Sequence, residues 1–544
     1  MIKILRPIWP VVTATLLCAA CGSGGDCLDE LWPGASGNVL YVGKCAGATS
    51  DGSRDNPYAS VAAAAKAASA GSTVVVGAGT WAESVELPAG VTLIGIMGQT
   101  VLTPPPGNRG IRVVGTGGYT EVRNLVVRGA SDAGIYSQGT SLSVFGCEVS
   151  GTLAHNLDTS HGAGIALQGC SVAPLTSSCP SLQVVASRVH DNQGVGIAAE
   201  GAWRVSVRGS IAGSPRSSAD RLPTTLGAAP NSFASFAPNS AISGNGGGGI
   251  LVAIGGLPAG DGAASVQVAI SNSLIQGNAQ AGVVAWGSGD TPYTMTIDNT
   301  LITGSLWLTT AGAGDSFASG VVAYGGASTS PIVSHLLIGP GTVLAGNARA
   351  GLLVYGTSPV EAIVRGDVTG NQGGGIWAIG AGATVELRQE GRVSDNLRMG
   401  IGGVDGAQVL VREKARVMRT LATSFKNPQG TEVVLGDGCG VFNGARLTIN
   451  DAHFANSARS HIMAHHPAVD QGVLAGFSIQ NSQFEGGQYG VAINADAAPQ
   501  LPSDLETALT AAGNTFANMA LPVQVDADLC VEYQEPFATK SYCP

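Results

Sequence analysis

The sequence predicts an all-β solenoid of stacked parallel strands, preceded by one short helix. Three observations predict it. A ten-residue pattern recurs along most of the chain. The chain contains 80 glycines and is still 44% apolar, so it buries many side chains. No segment shows the extended 3.6-residue apolar period of a long helix. Together these features favour many short strands over helical layers.

The repeat is defined by a glycine followed by Ile, Val or Leu. Seven copies fit it without a gap, at 130–139, 160–169, 192–201, 278–287, 316–325, 347–356 and 371–380, and two more, at 245–255 and 396–406, carry one extra residue. Asn347, Asn371 and Asn396 begin neighbouring copies 24 and 25 residues apart. That length holds two or three short strands and no crossover helix. Such a unit cannot bury its own apolar face, so it must stack on the next unit.

Each repeat position has an expected role in this stacking. The leading Asn is expected at a turn, where it tolerates left-handed backbone angles and hydrogen-bonds to the Asn one coil away. The glycine is expected to allow a sharp bend, and the apolar residue after it to point inward. About sixteen to eighteen coils, at about 4.8 Å each, would give a rod on the order of 80 Å long.

An N-terminal module precedes the repeats, with NVLYV at 38–42, an alanine-rich segment within 51–81, and ESVELPAGVTLIG at 83–95. Ser60 followed by VAAAAKAA predicts an N-cap and a short helix. Together with the repeats, this module resembles the right-handed parallel β-helix proteins of the pectin-lyase-like superfamily, over residues 38–525. The resemblance implies that the short helix caps the N-terminal end of the solenoid and protects its strand edge.

The N-terminus has the layout of a secretory signal, because Lys3 and Arg6 precede an apolar stretch and then small residues. Residues 17–21 resemble a bacterial lipobox, with Cys18 where Leu is usual. The resemblance implies lipidation of Cys21 and an exported outer-membrane lipoprotein, periplasmic or at the cell surface. Ordinary cleavage and free secretion is the alternative. The expected division is a signal peptide (1–20), a lipidated linker (21–37), an N-terminal cap with the first coils (38–98), the β-helix (99–525) and a C-terminal cap or tail (526–544).

Ten cysteines suit an oxidising compartment. Once Cys18 and Cys21 are set aside, the candidates for local disulfides are Cys27 with Cys45, Cys170 with Cys179, and Cys530 with Cys543. Cys147 and Cys439 would then remain, far apart in the chain. No Cys-x-x-Cys pair survives processing, so a zinc site is disfavoured.

Enzymes of the resembled superfamily act on acidic polysaccharides, and their motifs can be sought in the sequence. The R-x-P-x-x-R, D-D, G-H-G and D-P-H-E motifs of its lyases, hydrolases and epimerases are absent. No catalytic residue is therefore assigned. No cofactor or metal is expected, and calcium would enter only if the chain were a lyase. A net charge of −10 disfavours a nucleic-acid partner.

Three aromatic residues share one repeat offset. Trp286, Tyr324 and Tyr355 each stand four residues after the repeat glycine in three successive copies. If the residue after the glycine points inward, alternation places these rings outside, about 5 Å apart along the rod. An exposed strip of rings suits stacking on sugar faces. The alternatives are a purely structural aromatic stack and a ring folded inward.

A basic segment provides a second candidate site. Residues 388–426 hold eight Lys and Arg against four Asp and Glu in an acidic chain, and Arg412, Lys414 and Arg416 lie at its centre. Such a patch could hold an anionic glycan or lipopolysaccharide. The alternative, which we favour, is a solvated edge with internal ion pairs.

Four histidines form the third candidate. His453, His461, His465 and His466 lie in a segment that suggests an irregular excursion from the solenoid. His461 and His465 have the i, i+4 spacing that places two imidazoles on one helical face. No Glu follows His461 as a zinc protease would require, so histidines without a shared metal are the favoured interpretation.

These observations favour a non-catalytic, lipid-anchored envelope protein that binds polysaccharide or scaffolds contacts with envelope or matrix components. One alternative is a divergent lyase, hydrolase or epimerase acting on uronate-rich glycans. Another is a structural rod or adhesin with protein partners. Two acids about 5–10 Å apart beside a base would favour the enzyme, whereas an exposed aromatic strip without clustered acids would favour binding.

Overall fold

The computed structural model describes residues 37–44, 46, 50–154, 162–170, 178–209, 241–243, 248–254, 265–287, 291–306, 318–326, 333–426, 430–466, 469–470, 473–474, 477–494, 504–526, 531–534 and 539–542. These residues form a parallel β-helix with three faces. Each face is a sheet of fifteen strands, and neighbouring strands within a sheet run parallel. A regular coil passes through sheet one, sheet two and sheet three, and then returns to sheet one beside its own starting strand.

The strands of each sheet follow in spatial order. Sheet one contains Val85–Pro88, Ile111–Val114, Ala133–Gln138, Ala163–Gln168, Ile197–Glu200, Ile250–Ile254, Ala281–Gly287, Ser319–Gly325, Ala350–Gly356, Gly374–Ile379, Met399–Val404, Asp437–Phe442, Ser460–His465, Tyr489–Asn494 and Leu521–Asp526. Sheet two contains Val39–Val42, Thr73–Val76, Thr92–Ile94, Tyr119–Arg123, Ser141–Phe145, Ser181–Val185, Arg204–Arg208, Val266–Ser271, Tyr293–Asp298, Ser334–Ile338, Val360–Val364, Ala383–Leu387, Gln408–Arg412, Arg446–Asn450 and Phe477–Gln480. Sheet three contains Gly79–Trp81, Thr100–Leu102, Val126–Arg128, Glu148–Ser150, Arg188–His190, Ala241–Ser243, Leu274–Gln276, Leu301–Thr303, Val343–Ala345, Asp367–Thr369, Arg392–Ser394, Arg416–Met418, His453–Ala455, Gln483–Glu485 and Thr515–Ala517.

Two short helices and three antiparallel hairpins complete the described part. The helices are α1 (Val61–Ala67) and α2 (Leu505–Ala511), and the hairpins pair Thr423–Lys426 with Glu432–Leu435, Val469–Asp470 with Val473–Leu474, and Val531–Gln534 with Thr539–Tyr542. Helix α1 begins where expected, because the Ser60 hydroxyl accepts a hydrogen bond from the Ala63 amide at 3.2 Å. The Glu83 carboxylate also accepts from the Ala62 amide at 2.9 Å. Helix α1 packs on the first strand of sheet one, Val85–Pro88.

The predicted direction of the repeat side chains is confirmed. In the strand Ser319–Gly325, Val321 and Ala323 belong to the central core, whereas Val322 belongs to a separate apolar cluster outside sheet one. Strand alternation places Tyr324 on the same outer side as Val322. Each strand level of a sheet is called a rung below, and residues paired in register on successive rungs form a column.

The predicted stacking of repeat asparagines is also confirmed. The Asn347 amide group donates to Asn371 Oδ1, and the Asn371 amide group donates to Asn396 Oδ1, both at 2.9 Å. All three side chains are buried. Their expected left-handed backbone is wrong, however. The positive φ angles belong to the preceding residues in each coil, Gly346 (61°), Gly370 (65°) and Asp395 (58°). The turn is therefore made one residue earlier, which leaves each Asn directed inward to its partner.

The repeat glycine has a different purpose from the expected bend. Gly351 and Gly375 do not have positive φ angles. A methyl group at Gly351 would lie 2.8 Å from Asn371 Nδ2 and 3.0 Å from the Gly375 carbonyl oxygen, and it would also meet Val368. The glycine is needed because the asparagine and backbone of the next coil approach it too closely for any side chain.

The described part of the solenoid has fewer coils than expected, because some coils take many more residues than the regular repeat. Each sheet has fifteen strands within the described residues, which gives a length of about 70 Å at about 4.8 Å per strand. The strands Arg204–Arg208 and Val266–Ser271 are neighbours in sheet two although Val266 follows Arg208 by 58 residues. Of the residues between them, Ala241–Ser243 and Ile250–Ile254 supply the sheet-three and sheet-one strands of that coil, so this one coil takes many more residues than a regular one.

Candidate functional site

The three aromatic residues singled out by the repeat form a stack on the outer side of sheet one. Trp286 pairs with Tyr324, and Tyr324 with Tyr355, in the register of three successive strands. The Trp286 and Tyr324 ring centroids are 4.1 Å apart with an interplanar angle of 20°. The Tyr324 and Tyr355 centroids are 5.1 Å apart with an angle of 35°. We call these three residues the aromatic ladder.

All three ladder side chains are half-buried rather than fully exposed. Burial raises the pKa of Tyr324 above its ordinary value, and the neighbouring Tyr355 adds to this shift. The phenol of Tyr324 is therefore neutral at physiological pH. The ladder presents tyrosine hydroxyl groups and ring edges at a half-buried surface.

The stacking limits how the ladder can contact a ligand. Because the Trp286 and Tyr324 rings are stacked with their centroids only 4.1 Å apart, no sugar ring fits between them. Beyond Tyr355, the next rung holds Ile379, which is buried. At the other end the next rung holds Ala253, which is small and half-buried. A sugar can therefore contact the Trp286 end of the stack and the ladder edges, but not three separate ring faces.

A buried apolar strip adjoins the ladder on the outer side of sheet one. It combines the continuation of the ladder column in the next coils with the neighbouring outer column, and its side chains have almost no exposure: Ile379, Val404 and Phe442 in the first column, and Val322, Leu353, Trp377 and Met463 in the second. The C-terminal strand Val531–Gln534 packs against Met399–Val404, and Val531 is part of this cluster. The strand Val531–Gln534 thus lies beside sheet one at Met399–Val404 and helps to cover that part of the strip.

A buried ion pair lies in the outer column beside Met399. Asp437 and Arg459 have side chains only 1% and 9% exposed, and Arg459 Nε donates to Asp437 Oδ1 at 2.8 Å. The Ser460 hydroxyl also donates to Asp437 Oδ1, at 2.5 Å. The sequence analysis missed this pair. The sequence did contain a signal for it: acidic Asp437 stands at a repeat position that holds Ala350 and Met399 in earlier coils.

Four bases of the basic segment form ion pairs, three of them with acids that lie outside the segment. Glu386, only 2% exposed, forms ion pairs with both Arg388 and Arg412. Burial opposes ionisation of Glu386, but hydrogen bonds from the two arginines outweigh it and hold its pKa below the ordinary value. Two further ion pairs neutralise bases of this segment, Arg392 with Asp367 at 3.0 Å and Arg419 with Asp395 at 2.6 Å.

Lys414 and Arg416 are exposed, but they lie apart from the aromatic ladder. Lys414 is in the turn that follows the sheet-two strand Gln408–Arg412, and Arg416 begins a strand of sheet three. The ladder lies on sheet one. The structure therefore does not combine the two sequence candidates into a single site.

The histidine segment is regular, which corrects both the expected excursion and the helical spacing. His453 lies in the strand His453–Ala455, and His461 and His465 lie in the strand Ser460–His465. His461 is buried, its Nε2 lies 2.8 Å from the Gly486 carbonyl oxygen, and burial lowers its pKa. Burial, with the neighbouring His466, lowers the pKa of His465 to about 4. Among the described residues, no group of three or more His, Cys, Asp or Glu side chains could hold a metal ion.

Of the cysteines, Cys170 and Cys179 are joined by a disulfide. Cys147 and Cys439 are buried thiols outside any disulfide, and burial raises the pKa of Cys147 to about 12. The remaining cysteines with an expected role, Cys21, Cys27, Cys45, Cys530 and Cys543, lie outside the described residues, as does the whole expected signal peptide. Neither helix in the described part of the chain is long and apolar enough to span a membrane.

Residues 109–302 match the model of a family described as "right handed beta helix region". No curated protein matches the chain. Among solved structures, the chain is similar to the A-module of the mannuronan C-5 epimerase AlgE4 of Azotobacter vinelandii, with 17% identity, 85% of this chain and 91% of that chain covered, and a TM-score of 0.38. It is also similar to the catalytic unit of a thermostable GH87 alpha-1,3-glucanase from Streptomyces thermodiastaticus, with 12% identity, coverage of 79% and 65%, and a TM-score of 0.37.

A third similar structure is PfbA, a surface adhesin of Streptococcus pneumoniae, with 10% identity, coverage of 89% and 94%, and a TM-score of 0.23. The family match and the three parallel sheets agree on a right-handed parallel β-helix repeat. At these identities and TM-scores, the three structural similarities carry no information about a ligand of this chain. Its candidate site is argued from its own residues.

Proposed function

We propose that this chain is a non-catalytic, polysaccharide-binding β-helix of the cell envelope, and that the aromatic ladder is its contact site. The observation that carries the proposal is the half-buried stack of Trp286, Tyr324 and Tyr355 on one face of a rigid solenoid. Half-buried aromatic residues contribute much binding energy for two reasons. Packing already holds them in one conformation, and contact with a ligand removes their poorly hydrated ring surface from water. Binding of this kind needs no cofactor.

Replacing Trp286, Tyr324 and Tyr355 together with Ala is expected to weaken glycan retention about tenfold or more, because the shaped apolar contact is removed. The measurement is binding to a glycan array, with circular dichroism to verify the fold. Tyr119→Ala is the matched control, since Tyr119 is a 50% exposed aromatic residue on sheet two and its loss should leave retention unchanged. Retention by the triple variant equal to that of the unaltered protein would leave the ladder as a structural stack.

The same samples can distinguish binding from catalysis. A lyase acting on uronate-rich glycans releases unsaturated uronate products, which absorb ultraviolet light. The proposal expects retained glycan without such products. Their release by the unaltered protein, and not by a heat-inactivated sample, would favour the enzyme.

We further propose that the chain is exported and held at the outer membrane by lipid on Cys21, in contact with envelope or matrix polysaccharide. The basic stretch, apolar stretch and lipobox-like residues 17–21 support this proposal. The disulfide between Cys170 and Cys179 supports an oxidising compartment. Helix α1, which buries Val61, Ala64 and Ala65 beside the first strand of sheet one, is proposed as the cap of the N-terminal end.

Labelled palmitate is expected to be incorporated into the unaltered protein and to be lost in Cys21→Ala, because the thioether-linked lipid needs that sulfur. Gel fluorography of cells grown with labelled palmitate measures this directly. Cys18→Ala is the matched control and should keep the label. Label that persists in Cys21→Ala would place the anchor elsewhere.

A further inference from the structure

The part of sheet one around the aromatic ladder carries no charge. Six consecutive strands of this sheet, from Ile250–Ile254 to Met399–Val404, contain no Asp, Glu, Lys, Arg or His. In the same coils, the strands of sheet two contain Asp298, His335, Glu361, Glu386 and Arg412. Charge is thus segregated between two faces of one rod, and the ladder lies on the uncharged face.

Within these six strands, half-exposed outward side chains form one continuous surface, which we call the uncharged patch: Leu251, Ala253, Val284, Trp286, Tyr324 and Tyr355. The patch ends towards the C-terminus at buried Ile379. Towards the N-terminus it ends at the rung of Glu200, which pairs with Ala253. The polar atoms of its side chains are the indole nitrogen of Trp286 and two tyrosine hydroxyl groups, and none of its residues is Asp, Glu, Lys, Arg or His.

The connections next to the patch add only negative charge. The connections from these strands to sheet two, residues 255–265, 288–292, 326–333 and 357–359, contain Asp261 and Asp290 and no Lys or Arg. Arg349 directly precedes the patch strand Ala350–Gly356, but it is only 1% exposed and offers no charge at the surface. The chain as a whole has a formal charge of −10. A polyanion brought to this patch would be repelled at long range, and its carboxylates would lose water without gaining a partner. An uncharged chain incurs neither cost.

We propose that the ligand of the uncharged patch is a neutral polysaccharide, without uronate, sulfate or phosphate groups, lying along the rod. This inference depends on the proposed function and specifies its substrate class. Rungs of sheet one repeat about every 4.8 Å, close to the length of one pyranose unit, so successive sugars meet successive rungs. Their apolar faces contact Leu251, Val284 and the ring edge of Trp286, and their hydroxyl groups reach the hydroxyl groups of the tyrosines.

The test is isothermal titration of the full chain with neutral hexasaccharides (cello-, xylo- and mannohexaose) and with anionic ones (hexagalacturonate and hexamannuronate). We expect at least one neutral hexamer to bind, with an affinity that is unchanged between low and high salt because no ion pair is screened. Trp286→Ala should weaken that binding about tenfold or more, and Tyr119→Ala should not change it. Tyr324→Phe keeps the ring and the fold, and should weaken binding by a smaller factor through the lost hydroxyl group.

Failure of this inference differs visibly from failure of the proposed function. Tighter binding of an anionic hexamer, weakened by salt and by Trp286→Ala, would overturn the neutral ligand and leave the ladder as the site. If no hexamer binds, or if binding survives both Trp286→Ala and Tyr324→Phe unchanged, the proposed function is overturned and this inference with it.

Discussion

Arg459→Met is expected to lower the free energy of unfolding by about 3–5 kcal/mol, the largest single effect that the structure indicates. Asp437 is 1% exposed, and its two carboxylate oxygens accept hydrogen bonds from Arg459. Methionine fills a similar volume but leaves the carboxylate buried beside Ser460 without a counter-charge. The cost is that of an unpaired buried charge, rather than of a lost attraction between the two groups.

Urea denaturation followed by circular dichroism measures this effect, and two variants serve as controls. Arg112→Met breaks the ion pair with Glu86, whose side chains are 50% and 67% exposed, and is expected to cost about 0–1 kcal/mol. Arg459→Met combined with Asp437→Leu removes both charges and should recover much of the lost stability. A single Arg459→Met variant as stable as Arg112→Met would contradict the buried placement of the pair.

Asn371→Ala is expected to lower the free energy of unfolding by about 2–4 kcal/mol, because several buried groups lose a partner at once. Asn371 Oδ1 accepts from the backbone and side-chain nitrogens of Asn347 at 3.0 and 2.9 Å. Asn371 Nδ2 donates to Asn396 Oδ1 at 2.9 Å and to the Leu344 carbonyl oxygen at 3.1 Å. The substitution interrupts the column of buried asparagines. It leaves hydrogen-bonding groups of Asn347 and of Asn396 without their partner.

The matched control for this substitution is Asn450→Ala. Asn450 Oδ1 accepts from Asn481 Nδ2 at 3.0 Å, so it is also an asparagine pair between coils, but it is exposed to water. Its loss is expected to cost less than about 1 kcal/mol. Equal, small effects in both variants, measured by the same urea denaturation, would show that the Asn347–Asn371–Asn396 ladder contributes little to stacking.

The periodic features of the fold could be predicted from sequence because they arise within one repeat and its neighbour. The inward position of Val321 and the hydrogen bonds among Asn347, Asn371 and Asn396 follow from a repeat length that stacks equivalent residues. The role of the repeat glycine was misjudged for a related reason. The obstacles to a side chain at Gly351 are Val368 in the sheet-three strand of its own coil and Asn371 and Gly375 in the next coil, and a single ten-residue repeat displays none of them.

Features that depend on distant segments could not be predicted in this way. Ile379, Val404 and Phe442 stand at the same outward repeat position as the aromatic ladder. Apolar residues at an outward position indicate that the surface is covered, but not which segment of the chain covers it. The cover includes the strand Val531–Gln534, more than 100 residues further along the chain than Met399–Val404. Likewise, the shared repeat position of Trp286, Tyr324 and Tyr355 predicted that their three rings point outward. Their mutual stacking, which hides most of their faces, depends on side-chain angles that the pattern does not specify.

The stacking of coils in register is the claim on which the site and both proposals depend, and distances between spin labels test it most directly. Gln267 and Gln408 are exposed in one column of sheet two, five rungs apart. Double electron–electron resonance should give a backbone separation of about 24 Å for this pair. Replacing the second label by one at Thr384 or Arg446 should change the distance by about 4.8 Å, to about 19 or 29 Å. Distances that do not rise with each rung would contradict the stacked solenoid and every conclusion drawn from its register.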